Sequence, residues 1–167
     1  MDISANTVKE LRQKTGAGVM DCKKALTEAG GNFDKACAII TERGLAIAKK
    51  KSERSAEQGM IECYVHTGNH LGVMVELNCE TDFVARTPEF KELAHDIALQ
   101  ISAMAPKYVS RDDLPAGVEE DPATICLLLQ PFIKDPAKSI QDIITETIAK
   151  TGENIKVRRF VRFELGY

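Results

Sequence analysis

The chain has 167 residues and a formal net charge of −3, with 44% hydrophobic and 28% charged residues and no Trp. That length buries enough surface for one good-sized domain, or a small domain beside a medium one, and this balance excludes wholesale disorder. The longest aliphatic run is Leu127-Leu128-Leu129 with Ile125 and Cys126 before it. It is far short of a membrane span, and no charged-then-apolar segment opens the chain, so neither a secreted nor a membrane protein is expected. The five cysteines, Cys22, Cys37, Cys63, Cys79 and Cys126, include no C-x-x-C pair. An odd count without close pairs argues for free thiols in a reducing compartment, not a disulfide framework or a structural zinc site.

Charge is uneven. Residues 1–55 carry 11 Lys and Arg against 7 Asp and Glu, whereas residues 56–167 carry 11 against 18. Two units with different surfaces are implied. The Lys49-Lys50-Lys51 cluster with Arg54 falls at their junction, without the aromatic interleaving of a nucleic-acid site, and reads as a solvated linker helix.

Three short helices are expected before residue 45. Val8, Leu11 and Arg12 keep helical spacing until Thr15-Gly16-Ala17-Gly18 interrupts it. Met20, Ala25 and Leu26 mark a second helix, stopped by Gly30-Gly31. Asn32 caps a third, carrying Phe33, Ala36, Cys37, Ile39 and Ile40, which is expected to end before Gly44. The Gly-x-Gly here has no preceding strand and no following Lys-Ser/Thr, which argues against a phosphate loop. The expected units are a helical bundle over 1–44, a helical linker over 45–58 and a larger unit over 59–167.

From Gly59 the period changes to two. Ile61, Cys63 and Val65 alternate with Met60, Glu62, Tyr64 and His66, and after Thr67-Gly68-Asn69-His70 the residues Leu71, Val73, Val75 and Leu77 alternate again. That pattern is a hairpin. A helix follows Thr87-Pro88 with Phe90, Leu93, Ala94, Ile97, Ala98, Ile101 and Met104 as its apolar stripe, ending at Pro106. Residues 106–124 read as loop. Pro136 is expected to open a last helix with Ile140, Ile143, Ile144 and Ile148, closed by Gly152. Ile155, Val157, Val161, Phe163 and Leu165 then share one parity, broken only at Arg159-Phe160, and predict a half-buried closing strand. The fold class is α+β.

Nothing in the spacing supports bond chemistry, so an enzyme is not expected. His66 and His70 flank a turn, His95 lies on a helix, and neither a His-Glu-x-x-His nor a Gly-x-Ser-x-Gly motif is present. No metal site and no cofactor are expected. One segment stands out, Asn78-Cys79-Glu80-Thr81-Asp82-Phe83-Val84-Ala85-Arg86. Asp82 and Phe83 are expected in a loop between strand and helix. Either Phe83 folds back onto its own core while Asp82 or Thr87 caps the next helix, or Phe83 projects as an apolar wedge beside a carboxylate.

Three stretches resemble the translation elongation factor Ts family. They are Val8-Lys9-Glu10-Leu11-Arg12 through Thr15-Gly16-Ala17-Gly18-Val19-Met20-Asp21-Cys22-Lys23-Lys24-Ala25-Leu26, the segment 78–86 just quoted, and Gln130-Pro131-Phe132-Ile133-Lys134-Asp135-Pro136 with Gly152-Glu153-Asn154-Ile155 and Arg158-Arg159-Phe160 to Glu164-Leu165-Gly166. The resemblance runs from about Val8 to Gly166. It implies a ubiquitin-associated-like three-helix unit ahead of a core with a three-stranded antiparallel sheet backed by helices. It also implies guanine-nucleotide exchange on elongation factor Tu in translation, in the bacterial cytoplasm or an organelle.

By that resemblance Asp82 and Phe83, flanked by Thr81 and Val84, meet the GTPase, Arg12, Val19 and Met20 dock the helical unit, and His66 is a further contact. It implies a homodimer through the core sheet, as in short members with one core module. Two departures stand out: about ten loop-like residues replace the family's helical arm between Leu114-Pro115 and Cys126, and the last strand has no cysteine to bridge a dimer. Competing readings are a ubiquitin-type adaptor and an RNA-binding module using Arg158, Arg159 and Arg162, the latter without aromatic stacking pairs. No direct nucleic-acid or membrane partner is expected.

Overall fold

A computed structural model describes residues 3–166. Helix α1 (Ala5–Thr15) starts where Ser4 Oγ accepts the Thr7 N–H and ends at Gly16, whose φ of 67° is the left-handed exit that its position between two helices requires. Helix α2 (Val19–Glu28) follows at once, and Asn32 caps α3 (Phe33–Lys51) by accepting the Lys35 N–H. Val8, Leu11, Cys22, Ala25, Leu26 and Ala36 form a buried cluster of their own, with Phe33, Ile39 and Ile40 packed around it.

The expectation that Gly44 ends the third helix is corrected. Residues 45–51 continue α3 without a break, and Gly44 is buried inside it. A Cβ at that position would lie 3.2 Å from the Ala149 Cβ. The glycine thins the helix where another helix crosses it; it does not open an exit.

Strands β1 (Gln58–Val65) and β2 (Leu71–Cys79) form the expected hairpin, from Gln58 opposite Cys79 to Val65 opposite Gly72. A single turn, α4 (Asp82–Ala85), leads into α5 (Pro88–Met104), which Thr87 caps. After a 3₁₀ turn at Arg111–Asp113 come α6 (Pro122–Ile125) and a second 3₁₀ turn at Leu127–Leu129. The two-stranded β3 (Pro131–Phe132) and β4 (Asp135–Ser139) follow, then α7 (Ile140–Thr151) and β5 (Ile155–Glu164).

Pro136 therefore lies in β4 and does not open a helix. The start of α7 is set by Ser139, which exchanges hydrogen bonds with Asp142 in a capping box, and Gly152 closes the helix as expected, with φ 73°. The order β1-β2-β5 makes a three-stranded antiparallel sheet. One face packs on α5 and α7 through Val73, Val75, Leu77, Phe90, Leu93, Ile97, Ile101, Ile140 and Ile144, which are the main core.

The shared odd parity of the closing strand is misleading. Leu77 pairs with Val157 but Glu76 pairs with Arg159, so Arg158 is an extra, bulged residue and the faces exchange there. Ile155 and Val157 point into the core, whereas Val161 and Phe163 point out on the far face with Met74. The outward face of β1 carries Ile61, Cys63 and Val65, opposite to the assignment its hydrophobicity suggests; Met60 and Tyr64 pack inward.

Candidate functional site: the Asp82–Phe83 turn

Where β2 ends, the chain makes one helical turn, not the loop expected from sequence. Thr81 is its N-cap, with Oγ1 accepting the Val84 N–H at 3.4 Å. Successive helical residues point about 100° apart. Val84 and Ala85 turn inward and are buried, and Phe83 turns outward and is 79% exposed. Of the two accounts of Phe83 left open by the sequence, the projecting one is observed. Thr87 both donates to the Val84 carbonyl at 2.8 Å and accepts the Phe90 N–H at 3.3 Å, so α5 begins as α4 stops. The Asp82 carboxylate is half-exposed and accepts from Arg86 Nη2 at 2.8 Å, one turn on. Such a pair is worth a few tenths of a kcal/mol and yields readily to a better partner.

Behind the turn lies a polar clasp that no local pattern announces. Glu153 receives the Thr81 N–H at 3.0 Å on one carboxylate oxygen and the Thr81 hydroxyl at 2.6 Å on the other. Glu80 accepts the Asn154 N–H at 2.7 Å and Arg54 Nη1 at 3.3 Å. The buried Asn154 side-chain amide donates to the carbonyls of Ser52 and Arg54, at 3.3 and 2.7 Å. Lys51 donates to the Gly152 carbonyl. Three consecutive residues after α7 thus tie the end of α3 to the end of β2. Their partners lie 72 to 102 positions away in the chain, which is why sequence reading misses them. The only available signal was the Gly152-Glu153-Asn154-Ile155 quartet itself.

The Asn154 N–H is the main cause that holds the Glu80 carboxyl below the usual glutamate range, with Arg54 and the Lys51 charge adding to it against burial. A lowered carboxyl pKa contributes stability that is present above the unfolded value, about 4.3, and is lost as pH falls through the folded one. The stability gap between the native chain and Glu80→Gln, measured by urea unfolding, is expected to be positive at pH 7 and to close toward pH 3. An equal gap at both pH values would show that the charge is irrelevant. Burial, followed by the nearby Glu153 carboxylate, pushes the Cys79 thiol up, and its Sγ donates to the Thr81 carbonyl at 3.1 Å. That thiol is a packed donor, not a nucleophile.

The remaining sequence-selected residues are dispersed. Arg12, Val19 and Met20 lie on the surface of the α1–α3 bundle; Val19 is 50% and Met20 62% exposed, so neither is core. Met20 lines a shallow depression with Lys23, Lys24, Thr27, Glu28 and Arg43. His66 is exposed beside the β1–β2 turn, its Nδ1 2.9 Å from the Tyr64 hydroxyl. It sits at the opposite end of β2 from Phe83, some 30 Å away at the rise of a strand. Arg158 and Arg159 both face Glu76, at 3.6 and 2.7 Å, and Arg162 reaches Glu164 at 2.6 Å. Arg158 and Arg159 share one carboxylate and stay largely exposed, and among the described residues no aromatic pair for base stacking stands beside them on the strand. Among the described residues no group of three His, Cys, Asp or Glu is placed to hold a metal ion, and no helix is long and apolar enough to cross a membrane.

Fold and surface together define an α+β protein whose most prominent features are exposed apolar side chains held on a braced frame. A family model described as Elongation factor TS matches residues 2–125. The chain is 50% identical to Elongation factor Ts of Carboxydothermus hydrogenoformans over 194 residues, covering 98% of this chain and 89% of that one. It is 50% identical to Elongation factor Ts of Thermodesulfovibrio yellowstonii over 195 residues, covering 99% and 98%. The corresponding protein of Thermoanaerobacter pseudethanolicus is 48% identical over 194 residues. The chain belongs to the elongation factor Ts family, a family of translation elongation factors. Alignments of 194 residues against a chain of 167 leave these relatives with at least 27 residues that have no counterpart here.

Proposed function

We propose that this protein is the guanine-nucleotide exchange factor of elongation factor Tu and promotes GDP release during translation. The observation that carries the reading is Phe83, 79% exposed on a turn whose next two residues, Val84 and Ala85, are buried and whose cap is braced. A GTPase retains GDP because loop amides, a lysine and Mg²⁺ share the diphosphate charge. A partner that binds the distorted, empty state more tightly than the loaded one lowers nucleotide affinity by the same factor. Phe83 supplies such binding by entering the GTPase beside its Mg²⁺ site, and Asp82, released from Arg86, acts next to it. Thr81 and Val84 hold the turn. Arg12, Val19 and Met20 dock the bundle, residues 1–44, as a ubiquitin-associated-like unit joined by 45–58 to the core of 59–167, and His66 makes a separate contact. The protein itself transforms no substrate. The bacterial relatives favour the bacterial cytoplasm over an organelle as its place of work. The deciding experiment is GDP release from elongation factor Tu with Asp82 and Phe83 replaced, and a pulldown with ubiquitin in place of elongation factor Tu tests the adaptor reading.

A second reading concerns a second copy of this chain. The far face of the sheet exposes Ile61, Val65, Met74, Val161 and Phe163 together, with Phe163 69% exposed. A contiguous apolar face of this kind on a sheet marks an interface. We propose that two copies pair through it. Val161→Glu with Phe163→Glu is expected to convert a dimer of about 37 kDa, twice the chain mass of 18.4 kDa, into a monomer by light scattering. A native chain that is monomeric at micromolar concentration sinks this reading.

A further inference from the structure

We propose that Glu153 is a positioning residue for exchange: by clamping Thr81 at both its amide and its hydroxyl, it fixes the direction in which Phe83 leaves the fold. This rests on the reading of Phe83 given above and deepens it. The hydroxyl proton of Thr81 goes to Glu153 at 2.6 Å, which leaves an oxygen lone pair to receive the Val84 N–H and start α4. The amide of Thr81 goes to the same carboxylate at 3.0 Å. Charge-assisted bonds of these lengths are the stronger kind. Without Glu153 both Thr81 donors lose their acceptor, the hydroxyl is free to rotate away from Val84, and a helix of four residues has too few internal bonds to hold its own direction.

The same turn reaches further. Gly152, Glu153 and Asn154 grip Lys51, Thr81, and Glu80 with Ser52 and Arg54 in succession, so the end of α3 and the root of the Phe83 turn share one frame. The helical bundle and the projecting ring are thereby presented as a rigid pair. A partner contacting both meets them already spaced, and less ordering entropy is lost on binding.

The test follows release of a fluorescent GDP from elongation factor Tu across a range of exchange-factor concentrations. Four chains are compared with the native one: Glu153→Ala, Glu153→Gln, Phe83→Ala, and Phe83→Ala combined with Glu153→Ala. Glu153→Ala is expected to lower the saturating release rate by about tenfold, from the loss of two charge-assisted bonds at the turn. Glu153→Gln, whose amide oxygen still accepts the Thr81 N–H, recovers most of the rate. In the Phe83→Ala chain, adding Glu153→Ala changes the rate by less than about twofold, because the residue acts through the ring. Should Glu153→Ala fail to fold, Glu153→Asp, whose shorter side chain withdraws the carboxylate from Thr81 while leaving the Thr81 hydroxyl to cap Val84, takes its place in the cycle. A native rate in Glu153→Ala, or an equal further loss on the Phe83→Ala background, overturns the positioning role. The two failures are distinguishable: a native rate in Phe83→Ala itself overturns the underlying reading, whereas a slow Phe83→Ala beside a native-like Glu153→Ala overturns only this inference.

Discussion

Replacing Asp82 and Phe83 together by alanine is expected to slow stimulated GDP release from elongation factor Tu by about 10- to 100-fold while leaving the fold intact. The magnitude follows from the ring: fully burying one Phe side chain is worth about 1.5–3 kcal/mol, and each 1.4 kcal/mol is a factor of ten. Phe83 is 79% exposed in the free chain, so nearly all of that burial remains to be gained on the partner. The alanine variant forfeits it there and nowhere else. Folding stability is expected to change by less than about 1 kcal/mol, since the substituted side chains touch mainly solvent and the Asp82–Arg86 pair is exposed. Stopped-flow release of a fluorescent GDP, with thermal unfolding followed by circular dichroism on the same samples, separates the two quantities. Unchanged release rates in a folded variant would remove the wedge mechanism.

The helices of the bundle and the β1–β2 hairpin were legible because each is written in a local code. Val8 and Leu11 in one helix, and Ala36, Ile39 and Ile40 in another, keep helical spacing, Asn32 caps, Gly16 and Gly152 exit, and Val73, Val75 and Leu77 alternate. The misreadings share one cause, namely that tertiary packing overrode a local sign. Gly44 resembles a helix stop in sequence but is a close-approach residue set against Ala149. Pro136 resembles a first-turn proline but lies in a short edge strand, where its missing N–H costs nothing. The odd parity of Ile155 through Leu165 conceals the bulge at Arg158, after which each side chain changes face. At the candidate site, the residues Thr81 to Arg86 could be picked out, and the outward direction of Phe83 could not. That direction depends on the clamp on Thr81 by Glu153, 72 positions from it, and no pattern confined to the segment encodes it.

Phe90→Ala is expected to do the reverse of the Phe83 change. Seven residues downstream, Phe90 is fully buried in the first turn of α5, in one core with Val84, Ala85 and Leu93, directly behind the exposed turn. Truncating a buried Phe costs about 3–5 kcal/mol through lost transfer free energy and the cavity left behind. For a chain of this length each kcal/mol lowers the melting temperature by about 2–4 °C, so a fall of roughly 6–20 °C is expected. A native stability of about 5–15 kcal/mol leaves a folded majority at 15 °C except at the bottom of that range. The Thr81 clamp and the Thr87 cap use none of the deleted ring atoms, so Phe83 keeps its direction. Per folded molecule, the rate of GDP release at that temperature should stay within about threefold of native. Two phenylalanines in one short segment thus carry separate quantities, one the hold on a partner and the other the hold of the chain on itself. If Phe90→Ala slows release at 15 °C as severely as the loss of Phe83 while remaining folded, the turn is not a device separable from the core beneath it.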